Sequence, residues 1–174
     1  MKQRILALLL ISLSLFACVL FGVVLGFLSH VIYIIVLFPL GLGFMVALVF
    51  WIALQMSDIQ GLTKAYLAAA VGLCVAYGCM HYTMYQLFMH TVVAQAIAKE
   101  VHHPEAVQRI QQMIEQRFRF SDFMQARADA GITLFTLPIQ GWWFYLFLLA
   151  DSLIAFGAAV VAIRFFQADR QSVF

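Results

Sequence analysis

The chain has 174 residues, of which 65% are hydrophobic and only 10% charged, with a formal net charge of +2. Soluble domains carry roughly 45–50% apolar and about 25% charged residues, so this chain has too little polar surface to enclose its apolar side chains in water. The small net charge gives no basic surface and excludes nucleic acid as a partner, which leaves the bilayer as the natural solvent.

From Ile5 to Gln55 there is no Asp, Glu, Lys or Arg. A spanning helix needs about 20 mostly apolar residues, so this stretch predicts two spans, about 5–27 and 31–55. The turn is expected at Phe27-Leu28-Ser29-His30, the polar break in the run. Met1-Lys2-Gln3-Arg4 followed by an apolar run resembles the start of a signal peptide, and Leu15-Phe16-Ala17-Cys18 resembles a lipoprotein cleavage box. Phe16 fits that box poorly and the apolar run continues beyond it, so an uncleaved first span is expected. Gly22 and Gly26 form a G-x-x-x-G spacing on that span. Pro39-Leu40-Gly41-Leu42-Gly43 predicts a kink in the second span.

The third span is expected over about 65–90, after Gly61, with small residues Ala68, Gly72 and Ala76 at four-residue spacing. An extramembrane helical segment follows over about 92–131. Val92–Val101 would extend span three, and His102-His103-Pro104 would break it. Val107, Ile110, Met113, Ile114 and Phe118 then recur as one stripe of an amphipathic helix over 104–120. Ser121 is expected as the next N-cap, with Asp122 in the first turn and Gly131 as the stop. Pro138 and Gly141 precede the fourth span, about 142–165, whose Trp142, Trp143 and Tyr145 make an interfacial anchor. Ala155 and Ala159 repeat the small-residue spacing there. The fold class is thus an all-α membrane protein, one domain of four transmembrane helices with an extramembrane helical segment between the third and fourth.

Lys2, Arg4, Lys64, Arg164 and Arg170 all fall on one side of four spans. The positive-inside rule makes that side, with both termini, cytoplasmic. The segment 91–140 carries five basic and five acidic residues and gives no opposing signal.

The stretch Phe120-Ser121-Asp122-Phe123-Met124-Gln125-Ala126-Arg127-Ala128-Asp129-Ala130-Gly131-Ile132, followed by Gly141-Trp142-Trp143-Phe144-Tyr145 and an acid in the last helix, resembles a group of uncharacterised small bacterial four-span membrane proteins. The resemblance covers roughly the last third of the chain. Members tend to carry Glu where this chain has Asp151. It implies a bacterial inner-membrane origin and no particular reaction.

Cys79-Met80-His81-Tyr82-Thr83-Met84-Tyr85-Gln86-Leu87-Phe88-Met89-His90 has the residue types of a soft-metal or haem site. At about 100° per residue it divides: Cys79, Thr83, Gln86 and His90 share one face, and Cys74, Gly78, His81 and Tyr85 share another. His81 and His90 cannot then hold one ion on a straight helix. No cofactor is expected; a haem on His81 and a methionine such as Met45 is one alternative. Zinc or copper on the outer histidines His30, His90, His102 and His103 is another, with irregular spacing and no H-E-x-x-H. His81 and Asp151 are the ionisable groups within spans, each about nine residues from the outer end. Together with Cys18 and Tyr85 they form a candidate buried polar layer.

The three cysteines, Cys18, Cys74 and Cys79, contain no C-x-x-C and lie in apolar runs, as small hydrophobes do. No phosphate loop or nucleophile–base spacing marks an enzyme. The expected function is a non-enzymatic accessory or structural subunit of a membrane assembly, whose partners are the lipid bilayer and other membrane subunits or copies of itself. The alternative is a small transporter or proton-handling protein using His81 and Asp151.

Overall fold

The helices sort their residues by size rather than by polarity. The computed structural model describes residues 2–31, 37–57, 61–99, 112, 118–134 and 137–172. These form α1 (Lys2–Val31), α2 (Leu37–Met56), α3 (Leu62–Lys99), α4 (Phe120–Ala130), the strands β1 (Ile132–Leu134) and β2 (Leu137–Ile139), and α5 (Trp142–Ser172). On α1, Ala7, Ser14, Cys18, Gly22 and Gly26 face inward, while Leu9, Leu13, Phe16, Leu20 and Val24 are exposed. On α3, Ala65, Ala69, Gly72, Ala76 and Met80 are buried, and Leu67 and Val71 are exposed. A helix that is apolar all round, with its largest side chains outward, suits hydrocarbon rather than water.

Four helices are long and apolar enough to cross a membrane, over Ile5–Leu28, Phe38–Met56, Leu62–Gln95 and Trp142–Ala168. The chain is therefore an all-α integral membrane protein, with α4 outside these spans between the third and the fourth. It divides into two compact units, Met1–His81 with Leu148–Phe174, and Tyr82–Phe147. Both α3 and α5 contribute residues to each unit.

In the first unit α2 supplies the large side chains Val46 and Phe50, α3 and α5 add Leu73 and Ile163, and small residues of the neighbouring helices fill the rest. Phe50 and Val46 pack on Gly72 of α3, where an added β-carbon would also come within 3.2 Å of Cys18 Sγ. Gly43 lies against the Ala155 carbonyl of α5, and Gly22 against the Ala76 carbonyl of α3. A side chain at Gly22 or Gly43 would push apart two backbones held by close van der Waals packing, the main attraction between helices in lipid, and one at Gly72 would displace the side chains packed on it. Ala155 and Ala159 are fully buried. Ala68 packs on the edge of this core, and the buried row runs one residue over, through Ala65 and Ala69.

Several local expectations shift. α1 stays helical through Phe27–His30, where a turn was expected, because Ser and His do not break a helix without Gly or Pro beside them. α2 starts at Leu37, which puts Pro39 in the first turn. There its missing N–H has no intrahelical partner to lose, so the expected kink is not required. α3 continues to Lys99, including most of the expected extension. The amphipathic helix expected over 104–120 lies outside the described residues, apart from helical Gln112 and the stretch from Phe118.

In the second unit the N-cap of α4 is Arg119, not Ser121. The Asp122 carboxylate accepts the Arg119 backbone N–H at 2.8 Å, so the acid three positions on fixes the helix start. Gly131 ends α4 as expected, with its N–H on the Arg127 carbonyl at 2.8 Å. β1 and β2 then pair antiparallel, Ile132 opposite Ile139 and Leu134 opposite Leu137. Gly141 N–H closes the segment on the Ala128 carbonyl at 2.7 Å.

Candidate functional site

An acid inside an apolar helix needs a partner, because a bare carboxylate in hydrocarbon is strongly disfavoured. Asp151 sits on the inward face of α5, one turn before Ala155, and is only 2% exposed. Tyr77 of α3 donates its hydroxyl hydrogen to Asp151 Oδ2 at 3.0 Å, and its oxygen lies 3.3 Å from the Asp151 backbone carbonyl. His81 follows Tyr77 by one turn on α3, and the two rings stack with centroids 6.4 Å apart and planes 24° apart. His81 Nδ1 and Asp151 Oδ1 are both shielded from solvent. Tyr77 thus touches both His81 and Asp151.

A second link ties α3 to α5 nearer their other ends, where Arg164 Nε donates to Tyr66 Oη at 3.2 Å. Tyr66 and Tyr77 are eleven residues apart, and Asp151 and Arg164 thirteen. At 1.5 Å per residue these are rises of about 17 and 20 Å, as two antiparallel helices in one register require. The Ser14 and Ser152 hydroxyls stay on their own helices. Ser14 donates to the Leu10 carbonyl and Ser152 to the Leu148 carbonyl, four residues back in each case.

The remaining candidates are dispersed. Cys18 is fully buried against Gly72 in the apolar core. Tyr85 belongs to the second unit, where its hydroxyl donates to the Phe118 carbonyl at 2.8 Å and its ring meets Phe120 and Phe123 edge-on. Of the outer histidines, His90 is exposed on α3, and the His30 side chain, His102 and His103 lie outside the described residues. Among the described residues no three His, Cys, Asp or Glu side chains gather as metal ligands. Met45 is exposed and lines an apolar groove of about 330 Å³ between α1 and α2, with Phe21, Leu25 and Leu42.

Two residues were missed. Tyr77 lies four residues before His81, on its helical face, and that spacing is the signal that places it beside the candidate layer. Arg127 carries no comparable signal in the sequence. It is half-buried, with its guanidinium carbon 5.9 Å from the Phe123 ring centre and 5.8 Å from that of Phe144. Its Nη1 donates to Met84 Sδ at 3.1 Å, so one methionine of the opening cluster serves as a weak acceptor. Met80 is simply core.

Comparison of the chain with family models, curated proteins and solved structures finds no match. The functional reading therefore rests on the residues described above.

Proposed function

We propose that this protein is a non-enzymatic accessory or structural subunit of a membrane assembly in a bacterial inner membrane, with both termini cytoplasmic. The observation that carries the reading is the use made of Asp151. Its carboxylate receives a hydrogen bond from Tyr77 on the facing helix, next to two close backbone approaches, Gly43 on the Ala155 carbonyl and Gly22 on the Ala76 carbonyl. A polar contact set among tight seams fixes helix register. His81 meets Tyr77 through ring faces, which positions the imidazole and offers no proton route through that contact.

The second reading is a proton-handling protein. The shielded His81 Nδ1 and Asp151 Oδ1 favour it, since intramembrane ionisable groups mark relays as well as contacts. Purified chain reconstituted in proteoliposomes separates the two. The subunit reading expects no proton flux above empty vesicles under an imposed pH gradient. A flux that Asp151→Asn abolishes, with the variant still folded, overturns it.

A further inference from the structure

Arg164 is a cation on an apolar, outward helix face. It lies four residues before the end of the span Trp142–Ala168. Val161, one turn before it, and Phe165, next to it, are 68% and 67% exposed, while Ala162 and Ile163 are buried. A long cationic side chain rooted near a span end lays its stem along the apolar surface and carries its charge to the headgroup level. Aromatic residues of the same unit mark that level. Trp51, five residues before the end of α2, has its ring centre 6.3 Å from that of Phe166, and Tyr66 bonds to Arg164 itself. Tryptophan and tyrosine gather at the boundary between hydrocarbon and water.

The pair also sets what can be held there. Tyr66 packs its ring on the buried core, which steadies the hydroxyl at its tip. Arg164 Nε donates to that hydroxyl oxygen at 3.2 Å. The bond occupies one of the five guanidinium N–H donors and leaves those on the terminal nitrogens, the planar fork that takes phosphate oxygens in pairs. Tyr66 accepts in this bond, so its own O–H remains to donate. Among the described residues no group accepts from the terminal nitrogens or from the Tyr66 O–H, and no carboxylate pairs with Arg164. Donors at membrane depth are costly without acceptors. We infer that Arg164 and Tyr66 together bind the phosphate of a phospholipid headgroup, guanidinium and hydroxyl both donating to its oxygens. The recognised chemistry is an anion that only accepts hydrogen bonds, presented at the depth of the span end.

The test is native mass spectrometry of the full chain in detergent, titrated separately with phosphatidylglycerol, diacylglycerol of the same chains, and inorganic phosphate. Phosphatidylglycerol is expected to bind about tenfold more tightly than diacylglycerol, the scale of one charge-assisted hydrogen-bonded contact. Arg164→Gln is expected to remove that difference. Tyr66→Phe, which keeps the packed ring and removes the hydroxyl, is expected to reduce it about threefold, the scale of one neutral hydrogen bond. Equal binding of the two lipids by the unaltered chain would overturn the assignment, and that comparison needs no variant to fold. Undiminished preference in folded Arg164→Gln or folded Tyr66→Phe would overturn it as well, by placing the headgroup elsewhere. Displacement of bound phosphatidylglycerol by millimolar inorganic phosphate would give the site to the free anion instead.

Discussion

Tyr77 and Asp151 form one contact between α3 and α5, so their substitutions should not act independently. Tyr77→Phe and Asp151→Asn are each expected to destabilise the bundle, and the double variant by less than the sum. The coupling should be near the modest value of hydrogen bonds in bilayers, about 0.6 kcal/mol and below about 2 kcal/mol. Reversible unfolding in mixed micelles measures it, and strict additivity would mean that the contact carries no stability. Gly22 is a harsher position, because the group it faces is the Ala76 carbonyl and not a movable side chain. Gly22→Leu should cost at least the 1–3 kcal/mol or so of an overpacked core. Gly41→Ala, where a β-carbon meets nothing within 4 Å, is the matched control and should be near neutral.

At the scale of elements, spans were legible because a bilayer demands length and apolarity, and both are properties of composition. Their ends were less so. α1 stays helical through Phe27–His30, where Ser29 and His30 are the polar residues the sequence offers as a marker. The capping acid Asp122 was visible, but Ser121 beside it offered a more familiar cap. The β-hairpin was missed because Ile132-Thr133-Leu134 and Leu137-Pro138-Ile139 are too short to show a two-residue period. Gly131 is the residue at which the chain passes from α4 into that hairpin. Its φ of 73° and ψ of −176° lie in a region open almost only to glycine, and a β-carbon there would come within 2.6 Å of the Ile139 carbonyl oxygen. Gly131→Ala should therefore destabilise the second unit by about 1–3 kcal/mol. Hydrogen exchange should locate the loss in α4 and the hairpin, with α1 and α2 unchanged; uniform loss of protection would contradict this. The sequence singled out Asp151 and His81 for the candidate layer, but depth along two helices cannot show that Tyr77, one turn before His81, also reaches Asp151.

For the whole molecule, the basic residues Lys2, Arg4, Lys64, Arg164 and Arg170 carry the proposed orientation, in which the positive-inside rule predicts cytoplasmic termini. A C-terminal alkaline phosphatase fusion should then be inactive, and a fluorescent protein at the same site bright; the reverse pattern would invert the topology. On the proposed subunit reading, the broad outward surface of large apolar side chains packs against other membrane chains as well as lipid. Native mass spectrometry of the untagged chain, released from its own membrane with surrounding lipid, tests this most directly. A complex of fixed stoichiometry with other membrane chains or with copies of itself is expected, and a chain recovered alone and monodisperse would contradict the subunit role.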